Sequence, residues 1–121
     1  KVSDLVNLEQ SLLPTTRMGG HFVQGHVECT EKVLSLNLSD GDESRLTISV
    51  DAVNTDAIVP KGSITVEGVS LTIASVQDDS FDIALIPTTL SETTFHQLSV
   101  GDSVNIETDI LARTVLHKMQ Q

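Results

Sequence analysis

The chain has 121 residues and carries 17 acidic against 7 basic side chains, a net charge of −10 that disfavours binding to nucleic-acid phosphates or an anionic membrane surface. A single cysteine, Cys29, excludes an internal disulfide framework, and without a C-x-x-C or Cys/His cluster there is no zinc-ribbon, iron–sulfur or thioredoxin-type signature. No apolar run reaches the ~18 to 20 residues of a membrane span and the start lacks a signal-peptide pattern, so the expectation is one compact domain in a reducing cytoplasm.

The composition leans to strands. Val, Ile and Thr supply more than a quarter of the residues, and branched side chains pack well on a pleated surface. With three Phe and neither Trp nor Tyr, the chain also lacks the stacking platform of a single-strand nucleic-acid binder.

In chain order, Leu5 to Glu9 reads as a short strand and Ser11 to Arg17 as a proline-containing linker. Gly19-Gly20 opens a strand-like run from His21 to Glu28, and Val33 to Leu38 alternates Leu34, Leu36 and Leu38 against polar neighbours, so these two runs are expected to pair as a hairpin. Ser39 to Ser44 has turn composition, and Leu46, Ile48 and Val50 alternate in the next strand. Residues 51 to 62 read as a loop with one helical turn near Asp56 to Val59. The strongest local signal follows, where Ser63 to Val66 and Val69 to Val76 flank Glu67-Gly68, a two-residue hairpin connection. Phe81 to Ile86 is a strand stopped by Pro87, Thr88 to Gln97 holds a short helix, and Val104 to Glu107 is the last strand. From Ile110 to Met119, Leu111, Val115 and Met119 recur at i, i+4 and i+8, the stripe of an amphipathic helix with something to pack against. Short strands at regular spacing plus one capping helix predict a closed or nearly closed antiparallel barrel of six strands, with a sandwich as the alternative.

The residues that carry chemistry are few. His21 and His26 are five apart, which in a strand sends them to opposite faces, so they make a poor metal pair; each remains a proton carrier or a half-exposed strand histidine. Gly25 between them marks a bulge or a place where a ligand approaches the backbone. Ser70 and Thr72 share one face of their strand, where two hydroxyls line a polar pocket or simply face water. Lys61 is a lone cation beside Pro60 and Gly62, suited to an anionic or carbonyl-rich ligand or to a solvated turn. Glu107 and Asp109 lie at even spacing, a carboxylate pair of the kind used in proton transfer, although Asp109 also stands at the N-cap position of the final helix. Cys29 reads as a small semi-buried hydrophobe.

Four stretches together, RMGGHFVQGHV (17 to 27), PKGSITVEGVSLTI (60 to 73), LIPTTLSETTF (85 to 95) and GDSVNIETDILAR (101 to 113), resemble the second barrel of riboflavin synthase in order and spacing. The resemblance implies an all-β, six-stranded antiparallel Greek-key barrel with a C-terminal α-helix. It divides the chain into 1–17, the last strand of a preceding barrel plus linker; 18–109, a lumazine-binding barrel; and 110–121, the C-terminal helix. It further implies the dismutation of two 6,7-dimethyl-8-ribityllumazine molecules to riboflavin and 5-amino-6-ribitylamino-uracil without metal or organic cofactor. The site in that family forms between the first barrel of one subunit and the second barrel of its neighbour in a trimer, so that orientation of two flat rings supplies much of the acceleration.

By motif position, the resemblance assigns ligand contacts to Gly25, His26, Val27, Lys61, Ser70, Leu71 and Thr72 and to Ile86, Pro87, Thr88, Thr89, Leu90 and Ser91. His26 and Asp109 match positions that assist proton transfer and hold the second substrate. Glu28 departs from the family, which commonly has Asp there. The reading predicts binding of lumazine or riboflavin by this chain with little turnover until a first barrel is supplied. Two alternatives are a non-catalytic lumazine or flavin carrier of the kind found in luminous bacteria, and a barrel kept only for oligomerisation through the final helix.

Overall fold

The computed structural model describes residues 1–15, 17–38 and 43–120. Six antiparallel strands, β1 (Cys29–Asn37), β2 (Ser44–Ser49), β3 (Ser63–Val66), β4 (Val69–Val76), β5 (Ser80–Leu85) and β6 (Ser103–Thr108), close into a barrel in the order β1-β2-β5-β4-β3-β6. Helix α1 (Pro87–Glu92) and a 3₁₀ turn (Thr94–Gln97) follow β5, and α2 (Ile110–Met119) follows β6. Strands β2 and β3 are consecutive in sequence yet separated in the sheet by β5 and β4, the crossing of a Greek key. Closure gives every strand a hydrogen-bonded neighbour on both sides, which suits a small acidic chain with long β-branched runs.

The core follows from alternation. Leu46 and Ile48 of β2, Ile64 and Val66 of β3, Leu71 and Ile73 of β4, Phe81, Ile83 and Leu85 of β5 and Val104 and Ile106 of β6 all point inward and are buried. Phe95 on the 3₁₀ turn is fully buried beside them. The β3–β4 hairpin forms where expected, with Val66 opposite Val69 and both turn residues at positive φ, Glu67 at 51° and Gly68 at 77°. A two-residue connection with this handedness matches the twist of the strands it joins.

Two expectations at the start of the barrel fail. His21 to Glu28 and Val33 to Leu38 do not form a hairpin; the first run enters without regular secondary structure and the second belongs to β1, one strand that begins at Cys29 and bridges β6 and β2. The Leu34, Leu36, Leu38 face is also not the core face, because Leu34 and Leu38 are exposed while Glu31 and Val33 point in. The cause is a β-bulge. Val33 pairs with Ile48 and Ser35 with Thr47, so Leu34 is an extra residue that reverses the alternation and turns Leu36 inward after it. A second bulge at Ala74 does the same on β4, where Ile73 pairs with Ile83 and Ser75 with Asp82.

Leu5 to Glu9 forms no strand either; a strand exists through its hydrogen-bonded neighbours, and among the described residues this segment has no ladder partner. The helical turn in the 51–62 loop lies at Thr55–Ala57, one residue earlier than read from the sequence. Of the turn expected over 39–44, positions 39–42 lie outside the described residues. No helix among the described residues is long and apolar enough to cross a membrane.

Candidate functional site

The site is built on the outer surface of the barrel. Since Leu71 and Ile73 occupy the inward side of β4, Ser70 and Thr72 must face outward, opposite Thr65 and Ser63 of β3. Thr65 in turn lies opposite Glu107 of β6. Ser70, Thr65 and Glu107 therefore form a polar row across three adjacent strands.

The segment 20–24 roofs that row and leaves Thr65 only 3% and Glu107 only 2% exposed. His21 Nδ1 lies 2.6 Å from Ser70 Oγ, its Nε2 lies 3.3 Å from Thr65 Oγ1, and its backbone N–H donates to Ser70 Oγ at 3.3 Å. The Gln24 N–H donates to Glu107 Oε2 at 2.8 Å, which satisfies the buried carboxylate. Gly20 makes this approach possible, because a Cβ there would stand 2.3 Å from Ser70 Oγ.

The chain then turns at Gly25, whose φ of 76° is left-handed, and presents His26 and Val27 to solvent. Both flanks of His26 are tied to the end of β6. Glu28 accepts from the Thr108 hydroxyl at 2.8 Å and from the Thr108 N–H. Arg113 of α2 donates to Gln24 Oε1 at 3.1 Å and to the Thr108 carbonyl at 3.3 Å, and its Nε stands 3.8 Å from Glu28 Oε2. Asp109 follows Thr108 directly and caps α2, its carboxylate accepting from the Leu111 N–H at 3.0 Å.

The remaining expected contact residues lie on β4, just before β3 and just after β5. That strand pairs with β3 from Val69 onward but with β5 only from Ile73, so residues 69–72 have a described ladder partner on one side alone. After β5, the chain leaves the sheet at Ile86, which is exposed, and Pro87 starts α1 with Thr88, Thr89, Leu90 and Ser91. Lys61 stands before β3 with an exposed side chain; its backbone is left-handed at φ 65° and held by a 2.8 Å bond from its N–H to the Ile73 carbonyl. A non-glycine in this region is strained, and here the bond across to β4 fixes it.

A cleft of about 840 Å³ runs from the N-terminal segment across Gly19, Gly20, His21 and Gly25 to Gly68, Val69 and Ser70. Among the expected residues, Gly25 and Ser70 line this cleft, whereas His26, Val27, Lys61, Thr72, residues 86–91 and Asp109 lie outside its lining. Leu71 is buried in the barrel and Leu90 packs on the core, so their side chains serve the fold. The carboxylate pair read from Glu107 and Asp109 is divided between two tasks, one bound to the roof segment and the other to the helix cap.

Sequence reading left His21 open as a proton carrier or a half-exposed strand histidine and did not place it among the ligand contacts; the available signal was the Gly-Gly pair before it. It also missed Asn7, which donates to the Glu67 carbonyl and to Thr94 Oγ1 and accepts from the Thr94 N–H, pinning the N-terminal segment at one end of the cleft. Cys29 behaves as the hydrophobe expected of it: burial, then the nearby Glu31 and Glu28, push its thiol pKa up and away from the reactive thiolate. A second hollow of about 470 Å³, which shares Leu12 and Met18 with the cleft, is lined among the described residues by the apolar Leu12, Leu13, Pro14, Met18 and Phe22.

A family model for the lumazine binding domain matches residues 24–109. The riboflavin synthase of Photobacterium phosphoreum is 44% identical over 115 residues, covering 95% of this chain and 52% of that protein. The riboflavin synthase of Bacillus subtilis is 40% identical over 119 residues, covering 96% and 55%. The chain therefore spans about half the length of these curated relatives. Among solved structures, LumP complexed with riboflavin superposes with a TM-score of 0.68 at 26% identity, covering 77% of this chain and 50% of that one.

Proposed function

The chain belongs to the lumazine-binding domain family, and from that premise we propose that it is the second substrate-binding barrel of a riboflavin synthase. The reaction is the dismutation of two 6,7-dimethyl-8-ribityllumazine molecules to riboflavin and 5-amino-6-ribitylamino-uracil. The observation that carries the proposal is the half-paired outer stretch of β4, residues 69–72, whose Val69 and Ser70 share a cleft with Gly25. A flat heterocycle with alternating N–H and C=O groups suits such a strand, since backbone polar groups without a ladder partner read its pyrimidinedione edge. Ser70, Thr72 and Thr89 add hydroxyls for the ring or the ribityl chain, and Lys61 adds a cation beside the carbonyl-rich ring.

His26 serves as the proton carrier and Asp109 holds the second substrate while capping α2. No metal or organic cofactor enters the scheme. The bond rearrangement needs two rings face to face, so a barrel presenting one ring supplies half of the orientation and turnover requires a facing barrel. In this reading residues 1–17 lead from a first barrel, residues 18–109 are the lumazine-binding unit, and the exposed Leu111, Val115 and Met119 stripe of α2 packs in a cytoplasmic homotrimer.

Fluorescence titration of the purified chain with 6,7-dimethyl-8-ribityllumazine and with riboflavin, followed for hours, tests the proposal. Binding of both with little riboflavin formed, and turnover on adding a first barrel, is the expected result. Binding that stays unproductive with a first barrel present would favour a chromophore carrier, and absence of binding would leave a purely structural barrel.

A further inference from the structure

We propose that His21 is a positioning residue that acts through Ser70: its Nδ1 takes the Ser70 hydroxyl proton, so that Ser70 Oγ meets the bound ligand as a hydrogen-bond acceptor. This rests on the reading of Ser70 as a ligand contact. Three features of the geometry lead to it. Ser70 Oγ already accepts the backbone N–H of His21 and lies 2.6 Å from Nδ1, so its own proton is free to be donated to that nitrogen. On the other side of the ring, Nε2 lies 3.3 Å from the hydroxyl of Thr65, a buried group able to accept a hydrogen bond from Nε2, which leaves the lone pair on Nδ1. Finally, Gly20 brings the backbone against Ser70 where any side chain would collide, which makes the pair a built contact.

With its own proton committed to His21 and one lone pair taken by the His21 N–H, Ser70 Oγ retains one lone pair. It therefore selects for a ligand N–H or O–H and against a carbonyl or an alkylated nitrogen at that point. Glu107, beyond Thr65 in the same row, accepts the Gln24 N–H.

A double-mutant cycle read by riboflavin binding tests the role. His21→Phe and Ser70→Ala should each weaken binding about tenfold, and the double variant should lose no more than either single one. His21→Asn, whose side-chain amide reaches the place of Nδ1, should restore most of the affinity lost in His21→Phe. Nitrogen NMR of the ligand-free chain gives an independent signature, an unprotonated Nδ1 and a protonated Nε2 on His21, with the Nδ1 resonance moving in Ser70→Ala. Additive losses in the cycle, or a protonated Nδ1 in the neutral ring, would overturn the positioning role alone. Failure of the unsubstituted chain to bind riboflavin or lumazine would overturn the ligand reading and the positioning role with it, even with the expected tautomer.

Discussion

Replacing Glu31 by Gln isolates the interaction that ties the barrel to the loop after β2. Glu31 points into the barrel end from β1, is 3% exposed, and accepts four hydrogen bonds. Oε1 receives the Ser49 hydroxyl at 2.8 Å and the Asp51 N–H at 3.0 Å, and Oε2 receives the Ala52 and Val53 N–H groups at 2.8 Å each. Burial alone would raise the pKa of this carboxyl, but the Val53, Ala52, Ser49 and Asp51 donors outweigh it and hold the pKa below the ordinary glutamate value. A glutamine keeps the shape but offers one acceptor oxygen. In its better orientation it retains Ala52 and Val53 as neutral bonds and turns its NH₂ toward the Asp51 N–H, which loses its acceptor. Taking about 1 kcal/mol for each charge-assisted bond reduced to neutral strength and about 1 kcal/mol for the orphaned N–H, the loss is about 3 kcal/mol.

For a domain of this size that loss corresponds to roughly 10 °C in Tm. Because the folded pKa is depressed, the carboxylate contributes its stability above the unfolded value of about 4.3 and loses it as pH falls through the folded value. Thermal denaturation of both proteins at pH 7 and across the acid range should therefore show a gap that is widest at pH 7 and narrows below about pH 4. Equal Tm values at pH 7, or a gap unchanged down to the lowest pH, would refute the reasoning.

Two substitutions probe other links between fold and site. Asp109→Asn retains a capping oxygen whereas Asp109→Ala does not, so the alanine variant should lose about 1 kcal/mol in urea denaturation and the asparagine variant a few tenths. If Asp109 also takes part in the reaction, Asp109→Asn should abolish most turnover in the assembled two-barrel enzyme at nearly unchanged stability; full activity would reduce Asp109 to its cap. Gly68→Ala places a Cβ on a residue at φ 77° in the β3–β4 turn and should cost about 1 kcal/mol, read as a shift in the urea midpoint. A neutral result would mean that the turn relaxes to another geometry.

Where the instruction was local, the sequence alone determined the structure. The Glu67-Gly68 turn lies between two strand-like runs, and α2 follows its capping Asp109 with apolar residues four apart; both depend on neighbours within a few positions, where the residue type sets the backbone. The barrel class came from the same source, through strand composition and spacing. The tertiary structure decided the rest. The Leu34 bulge is defined only by the partner strand β2, so alternation within β1 pointed to the wrong face. His21 reaches Ser70 across 49 positions of sequence and Glu28 reaches Thr108 across 80, so neither partnership leaves a local periodicity to read. Glu31 looks like an exposed strand carboxylate until the loop after β2 folds back and directs three N–H groups onto it. Short-range steric and hydrogen-bonding preferences are properties of a few adjacent residues; the protonation and orientation of a polar side chain depend on groups that closure of the barrel alone brings within 3 Å.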